Sequence, residues 1–181
     1  MGELLTYIDY LQRQWSDDLA FYPLSTLEKA LMKRRVMTCE NNGEYAGYLW
    51  HGPIRPARDT VIYQACVDYE SQRRHLGFGM VRELMDAARI GGATGMRCRV
   101  ASSAESNEFW KCIGFYCTNV TRGGVKRGRQ INHWRADIQK PLFTVAEVTP
   151  SQDKIDARMY QHDKKHGVTM PNRWSRSHYG D

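Results

Sequence analysis

Arg73 and Arg74, with Gly77 and Gly79 close behind them in RRHLGFG, are the residues whose types and spacing best suit chemistry. A glycine has no Cβ, so a ligand can approach its backbone closely, and neighbouring arginines favour an anion such as a phosphate. A plain tight turn accounts for a lone Gly-x-Gly equally well. Just upstream, Asp68 and Glu70 are carboxylates that could accept a proton through water, or simply be solvated loop residues. The five cysteines, Cys39, Cys66, Cys98, Cys112 and Cys117, form no Cys-x-x-Cys pair and are odd in number. They read as reduced and mostly buried thiols. The six histidines are scattered, and no metal site is expected.

The surrounding elements place the glycines at a junction. Ile62 to Val67 is apolar, β-branched and aromatic, and reads as a strand that begins near Thr60. Val81, Leu84, Met85 and Ala88 recur at helical spacing, which predicts a helix from Met80 to Ile90 stopped by Gly91-Gly92. The glycines therefore lie where a strand hands over to a helix, whose first turn carries unpaired N–H groups and the positive end of the macrodipole. Cys98 to Ala101 reads as a second strand, and Ala104 to Cys112 as a short helix ending in Gly114-Phe115.

Strand, Arg-x-x-Gly-x-Gly, helix, strand, helix and Gly-Phe, in this order, resemble the GNAT acyltransferase superfamily over roughly Val36 to Ile138. Arg74, Gly77 and Gly79 match the Gln/Arg-x-x-Gly-x-Gly/Ala loop that holds the pyrophosphate of acetyl-CoA in that family. The resemblance implies an N-acyltransferase that takes acetyl-CoA, or another acyl-CoA, as co-substrate for direct attack by an amine. It also implies that the backbone of Ala65, Cys66 and Val67 grips the pantetheine arm. The N–H groups of His75, Leu76, Gly77, Phe78, Gly79 and Met80 are then expected at the pyrophosphate.

Two departures from the family pattern concern the helix before Gly114. The usual Asn and Tyr of that helix fall on Ser103 and Trp110 here, with Asn107 near but offset, and all three are candidates for contact with CoA. An indole does not titrate, so the usual acid for the departing thiolate is missing. Tyr116, Tyr63 or Ser103 could replace it, or the thiolate leaves unassisted, a thiol being a fairly good leaving group. Asp68 and Glu70 become candidates for the base. Phe21 and Tyr22, in the connection that commonly borders the acceptor, read as substrate-binding or as a hydrophobic lid over the core.

The rest of the chain fits this α/β layout, a twisted mixed sheet flanked by helices. Leu4, Ile8, Leu11 and Trp15 share one face of a helix from Glu3 to Trp15, and Ser25-Thr26-Leu27-Glu28 has the capping-box pattern of a second that runs to about Arg35. No room is left for the strand with which the family usually opens, so that strand is short or absent. Val36 to Glu40 and Tyr45 to Trp50 read as a hairpin turned by Asn41-Asn42-Gly43. Tyr116 to Thr121 and Gln130 to Ile138 read as a further strand pair. Residues 1–140 form the expected acyltransferase domain. Residues 141–181 are an extension with a helix at about 150–165, and their Trp174 and Tyr179 point to docking or to an oligomer contact such as a homodimer.

The loop Arg122-Gly123-Gly124-Val125-Lys126-Arg127-Gly128-Arg129 carries four cations. Arg122, Lys126, Arg127 and Arg129 are substrate-binding candidates on the acceptor side, and a solvated hairpin tip is the other reading. With a net charge of +6, the chain suits an anionic partner. CoA is one, and nucleic acid is the alternative: a nucleic-acid-modifying or nucleic-acid-binding protein on the same fold, as in some phage members of the superfamily. No stretch is apolar enough to span a membrane and the start lacks a secretory pattern, so a cytoplasmic location is expected.

Overall fold

The computed structural model describes residues 2–16, 18–123 and 128–138. By contacts the chain divides into Met1–Val148 and Thr149–Asp181, and all described residues belong to the first unit. The expected extension, with its helix, and Lys126 and Arg127 lie outside the described residues.

Two helices come first, α1 (Gly2–Gln14) and α2 (Leu24–Met32). No strand precedes them among the described residues, as the missing room implied. The capping box is not used: α2 starts one residue before Ser25, with Pro23 at its N-cap and no side-chain cap. Strands β1 (Val36–Asn41) and β2 (Glu44–His51) form the hairpin, and Asn42 and Gly43 both have positive φ. That is the requirement of a two-residue type I′ turn.

Strand β3 (Asp59–Val67) leads through a 3-10 turn (Tyr69–Ser71) into α3 (Leu76–Ile90). Then follow β4 (Gly95–Ala101), α4 (Ser106–Cys112), β5 (Tyr116–Arg122) and β6 (Gln130–Asp137). One sheet holds all six strands in the order β1-β2-β3-β4-β6-β5. Only the β3–β4 pair is parallel.

Both helix stops follow one rule. After α3, Gly92 takes positive φ, the Gly92 N–H donates to the Arg89 carbonyl and the Ala93 N–H to the Ala88 carbonyl. After α4, Gly114 does the same, and the Phe115 N–H donates to the Trp110 carbonyl at 3.0 Å. This pattern places a left-handed glycine just past the helix and brings an apolar residue after it onto the last turn. Phe115 meets Trp110 with ring centroids 4.9 Å apart. The Gly-Phe pair is thus a helix terminator whose aromatic half is core.

Helices cover the two sheet faces unequally. Helix α3 packs Phe78, Val81, Leu84 and Met85 against Leu49, Ile62, Met96 and Cys98, with Trp110, Phe115 and Trp134 completing that core. On the other face α1 and α2 pack Ile8, Leu11, Leu27 and Ala30 on Tyr48, Trp50 and Cys66. This cluster takes in β1, β2 and β3, with Val36 at its edge, and no residue of β4, β5 or β6. Strand residues alternate between faces. Since Met96 and Cys98 face α3, Arg97 and Arg99 of β4 point to the other side, and both are exposed.

Candidate functional site

Strand β3 changes partner halfway. It pairs with β4 only from Asp59↔Gly95 to Ile62↔Cys98, after which Tyr63–Val67 has no partner on that side among the described residues. The break coincides with a bulge: Trp50 of β2 lies opposite Gln64, but His51 lies opposite Ile62, so Tyr63 is an extra residue. A bulge bends its strand and exchanges the faces of the residues beyond it. Ile62 accordingly faces the α3 core, while Gln64 and Cys66 face α1. A wedge is left between Tyr63–Val67 and the end of β4, beside the predicted grip of Ala65, Cys66 and Val67. One backbone acceptor there, the Val67 carbonyl, takes a hydrogen bond from Gln72 Nε2 at 3.4 Å.

Helix α3 begins beside the mouth of this wedge, and it begins earlier than predicted. Leu76, not Met80, is its first residue, so Gly77 and Gly79 lie within the first turn. The Gly79 N–H already donates to the His75 carbonyl at 2.9 Å. Gly79 and Met80 thus belong to the helical ladder, and the N–H groups of His75, Leu76, Gly77 and Phe78 are the four of the expected donor set that the ladder does not use. The side chains of Phe78 and Met80 are buried in the core. Arg73 and His75 both sit at positive φ, 63° and 62°, immediately before the helix. Two non-glycine residues in that region within three positions mark a strained segment, the kind that gathers at ligand sites. Arg74 is exposed and donates from Nη1 to Asn41 Oδ1 at 3.1 Å, which orients its guanidinium from the β1–β2 hairpin.

The two glycines differ in what they leave room for. A Cβ on Gly77 would touch the Phe109 ring at 3.5 Å and Val67 Cγ2 at 3.6 Å, which makes Gly77, Val67 and Phe109 one apolar wall. A Cβ on Gly79 would meet nothing within 4 Å. Open space at a helix N-terminus, free N–H groups, a nearby arginine and an apolar wedge together fit an elongated ligand with an anionic group partway along it. The pyrophosphate and pantetheine of acyl-CoA have that chemistry.

Several expected site residues do other work. Asn107 has no polar atom to spare: Nδ2 donates to the Ala101 and Ala104 carbonyls at 2.8 and 2.7 Å, and Oδ1 accepts from Asn132 Nδ2 and Trp134 Nε1 at 3.0 and 2.9 Å. It fastens the end of β4 and the start of α4 to β6. Trp110 is buried between Phe109 and Phe115, at 5.1 and 4.9 Å, so it does not face a ligand. Tyr116 is remote, because β4 and β6 separate β5 from β3, roughly 14 Å at the usual strand spacing. It also stands opposite Arg135 at the end of the sheet away from the glycines, and its hydroxyl accepts from Arg135 Nη1 at 2.7 Å. Ser103 is exposed in the turn before α4.

Asp68 remains beside the wedge, where Oδ1 accepts the Glu70 N–H at 3.2 Å and so caps the 3-10 turn. Glu70 is exposed on that turn. Tyr7 of α1, which the sequence did not single out, has a buried hydroxyl with no hydrogen-bond partner among the described residues. Burial pushes its phenol up, and the charge of Asp68 adds to the effect. Burial likewise pushes the Cys66 thiol up, with Asp68 and Cys39 contributing, so Cys66 is an unreactive core thiol.

A buried amide network fixes the α1–α2 connection. Gln12 Oε1 accepts the Tyr22 N–H at 2.9 Å, Gln64 Nε2 donates to Gln12 Oε1 at 3.2 Å and to the Ala20 carbonyl, and Tyr48 donates to Gln64 Oε1 at 3.1 Å. The network ties that loop to the first residue after the bulge. Tyr22 then packs edge-on against Trp50 at 4.8 Å, Trp50 meets Tyr63 at 4.7 Å, and Phe21 is left exposed. No periodicity announces such a clamp, because its members are 10 to 52 residues apart.

Arg122 ends β5 and Arg129 precedes β6, so the described part of the basic loop lies at the tip of the β5–β6 hairpin. A shallow, open depression lined by Ala57, Arg58, Asp59, Thr94 and Arg97 lies at the far end of the sheet, where β3 and β4 start, and not at the glycines. No group of three or more His, Cys, Asp or Glu is placed to hold a metal among the described residues, and no helix there is long and apolar enough to cross a membrane.

The family model described as acetyltransferase (GNAT) family matches residues 5–115. Solved structures share the fold. Ard1 of Thermoplasma volcanium has a TM-score of 0.66 at 14% identity, over 76% of this chain and 93% of that one. The ribosomal-protein-S18-alanine N-acetyltransferase of Escherichia coli has a TM-score of 0.60 at 16%, over 74% and 87%. N-acetylglutamate synthase of Neisseria gonorrhoeae, complexed with coenzyme A and N-acetyl-glutamate, has a TM-score of 0.61 at 16%, over 77% and 33%. No curated protein matches the sequence.

Proposed function

Because the chain belongs to the acetyltransferase (GNAT) family, we propose that it moves an acyl group, most simply acetyl, from acyl-CoA to an amine. One observation carries the reading. The first turn of α3, with open space at Gly79, stands beside the wedge that opens where β3 leaves β4.

Acyl-CoA, when bound, supplies an activated thioester. The chain's part is to bind, position and take a proton. The N–H groups of Leu76, Gly77 and Phe78, with Arg74 beside them, suit the negative charge of a pyrophosphate. Val67, Gly77 and Phe109 keep water from one side of the wedge. The unpaired edge of Tyr63–Val67 leaves backbone donors and acceptors for amide groups of an extended ligand. Positioning of this kind lowers a barrier by holding reactants in one geometry, without a nucleophile from the protein. Asp68 is the carboxylate best placed to accept the proton of the amine, directly or through water, with the exposed Glu70 second. Phe21 and Tyr22 border the side from which the amine arrives.

The test is calorimetric titration with acetyl-CoA of the wild type and of Gly79→Trp. The wild type is expected to bind. The variant, whose indole fills the open space, is expected to lose binding while keeping its thermal midpoint, because nothing packs against Gly79. No binding by the wild type would sink the proposal.

A further inference from the structure

We propose that the face of strands β4, β6 and β5 on which no described helix packs is a binding surface for single-stranded nucleic acid. Residues directly opposite one another on paired strands share a face. Arg97 lies opposite Arg135 and Arg135 opposite Tyr116, while Arg99 lies opposite His133. These residues make one row across three strands and a second across β4 and β6, about 6.6 Å apart, on the side away from α3. No described helix packs on them.

The charge on this face is available. Arg135 is not, since its guanidinium donates to Asp59 at 2.9 Å from Nε and also to Asp137. One guanidinium between two carboxylates leaves one negative charge over, so with Arg97 and Arg99 the rows carry a net charge of +1, and Arg58 beside them adds another. Arg97 and Arg99 are exposed and form no ion pair among the described residues, and Arg97 senses only the already bridged Asp59. Two unpaired arginines on alternate positions of one strand make a linear array of forked donors suited to successive phosphates. The depression at Arg58 and Arg97 continues the cationic surface past the start of the strand.

The aromatic residues choose between anionic partners. Tyr116 is 41% exposed at one end of the first row. Tyr63, 42% exposed at the bulge of β3, leans on Trp50 beside the same face. Exposed aromatic rings next to arginines on a flat sheet stack unpaired bases and grip their backbone. A duplex would need a helix or ribbon that enters a groove, and this face presents neither. An acidic peptide would make no use of the exposed ring faces.

The inference does not depend on acyl transfer, and its test needs no acyl-CoA. Binding of a fluorescein-labelled 12-nucleotide oligothymidylate is followed by anisotropy from about 50 to 300 mM salt. Affinity is expected to fall with salt, and the Arg97→Ala/Arg99→Ala double variant to lower the slope of log K against log salt by about 1.4, or 0.7 per lost phosphate contact. Tyr63→Ala is expected to weaken binding roughly five- to 150-fold, the range for one lost base stack. The arginines are exposed and unpaired, so an unchanged thermal midpoint certifies the double variant. Absent binding at 50 mM salt, an unaltered slope in the double variant, equal affinity for a duplex, or equal displacement by polyglutamate would each overturn the proposal.

Discussion

Gln64→Leu is the most informative single change, because it removes the centre of the buried clamp while keeping the side chain's volume nearly the same. Gln64, Gln12 and Tyr48 are all almost fully buried. The leucine would leave the Tyr48 hydroxyl and the Ala20 carbonyl without partners, while Gln12 Oε1 would keep the Tyr22 N–H. Each stranded buried polar group costs about 1–3 kcal/mol, so the pair costs about 2–6 kcal/mol. The added apolar burial of leucine returns about 1–2 kcal/mol. The midpoints, about 4 less about 1.5, give a net loss of about 2.5 kcal/mol, which for a domain of this size lowers Tm by about 5–10 °C. Urea unfolding followed by circular dichroism measures it, and a cycle with Gln12→Leu should show coupling of about 0.5–3 kcal/mol. A loss below about 0.5 kcal/mol, or strict additivity of the two changes, would refute the clamp.

Thiol and pH measurements test two further parts of the structure. Cys112 and Cys117 are exposed, whereas burial pushes the Cys39 thiol up to about 11 and those of Cys66 and Cys98 well above the usual range. A disulfide reagent at about pH 8 should label two thiols quickly in the native protein and the other three only on unfolding. Burial alone would raise the Asp59 carboxyl, but hydrogen bonds from Arg135 and Thr94 outweigh it and hold the group below its ordinary value. Burial holds His51 low as well, with Arg35 adding and the Gly52 carbonyl opposing. In both cases the unfolded chain binds the proton first, so stability falls as pH drops. The fall begins below about 6.5 for His51 and below about 3.9 for Asp59. Urea midpoints between pH 7.5 and 3 should show both limbs, and Asp59→Asn should flatten the lower one.

The alternation of strands and helices was legible because it rests on local periodicity, and so was the role of Gly114-Phe115 as an ending. The start of α3 was misplaced by four residues because glycine is a poor helix former, and Gly77 and Gly79 read as a loop although the first turn accommodates them. Trp110 stood where the resemblance sets a tyrosine, but its ring is held by Phe115 through the helix stop. Tyr116 follows α4 closely in sequence, yet β6 inserts between β4 and β5 and carries it away from the wedge. The bulge at Tyr63 and the clamp at Gln64 depend on which strands pair and in what register, which no window of sequence contains.

The bonds of Asn107 fix more than the position of three elements. Its amide nitrogen faces carbonyls and its oxygen faces N–H groups, so the site dictates the chemical identity of its occupant. Aspartate has the same outline but would turn a donor into a negative charge aimed at the Ala101 and Ala104 carbonyls. Leucine would silence all of the bonds at once, and glutamine would overshoot by a methylene. A polar residue near a cleft invites a functional role, but here the bonds within the fold account for the residue. The far wall of the wedge is in this sense keyed to a single carboxamide.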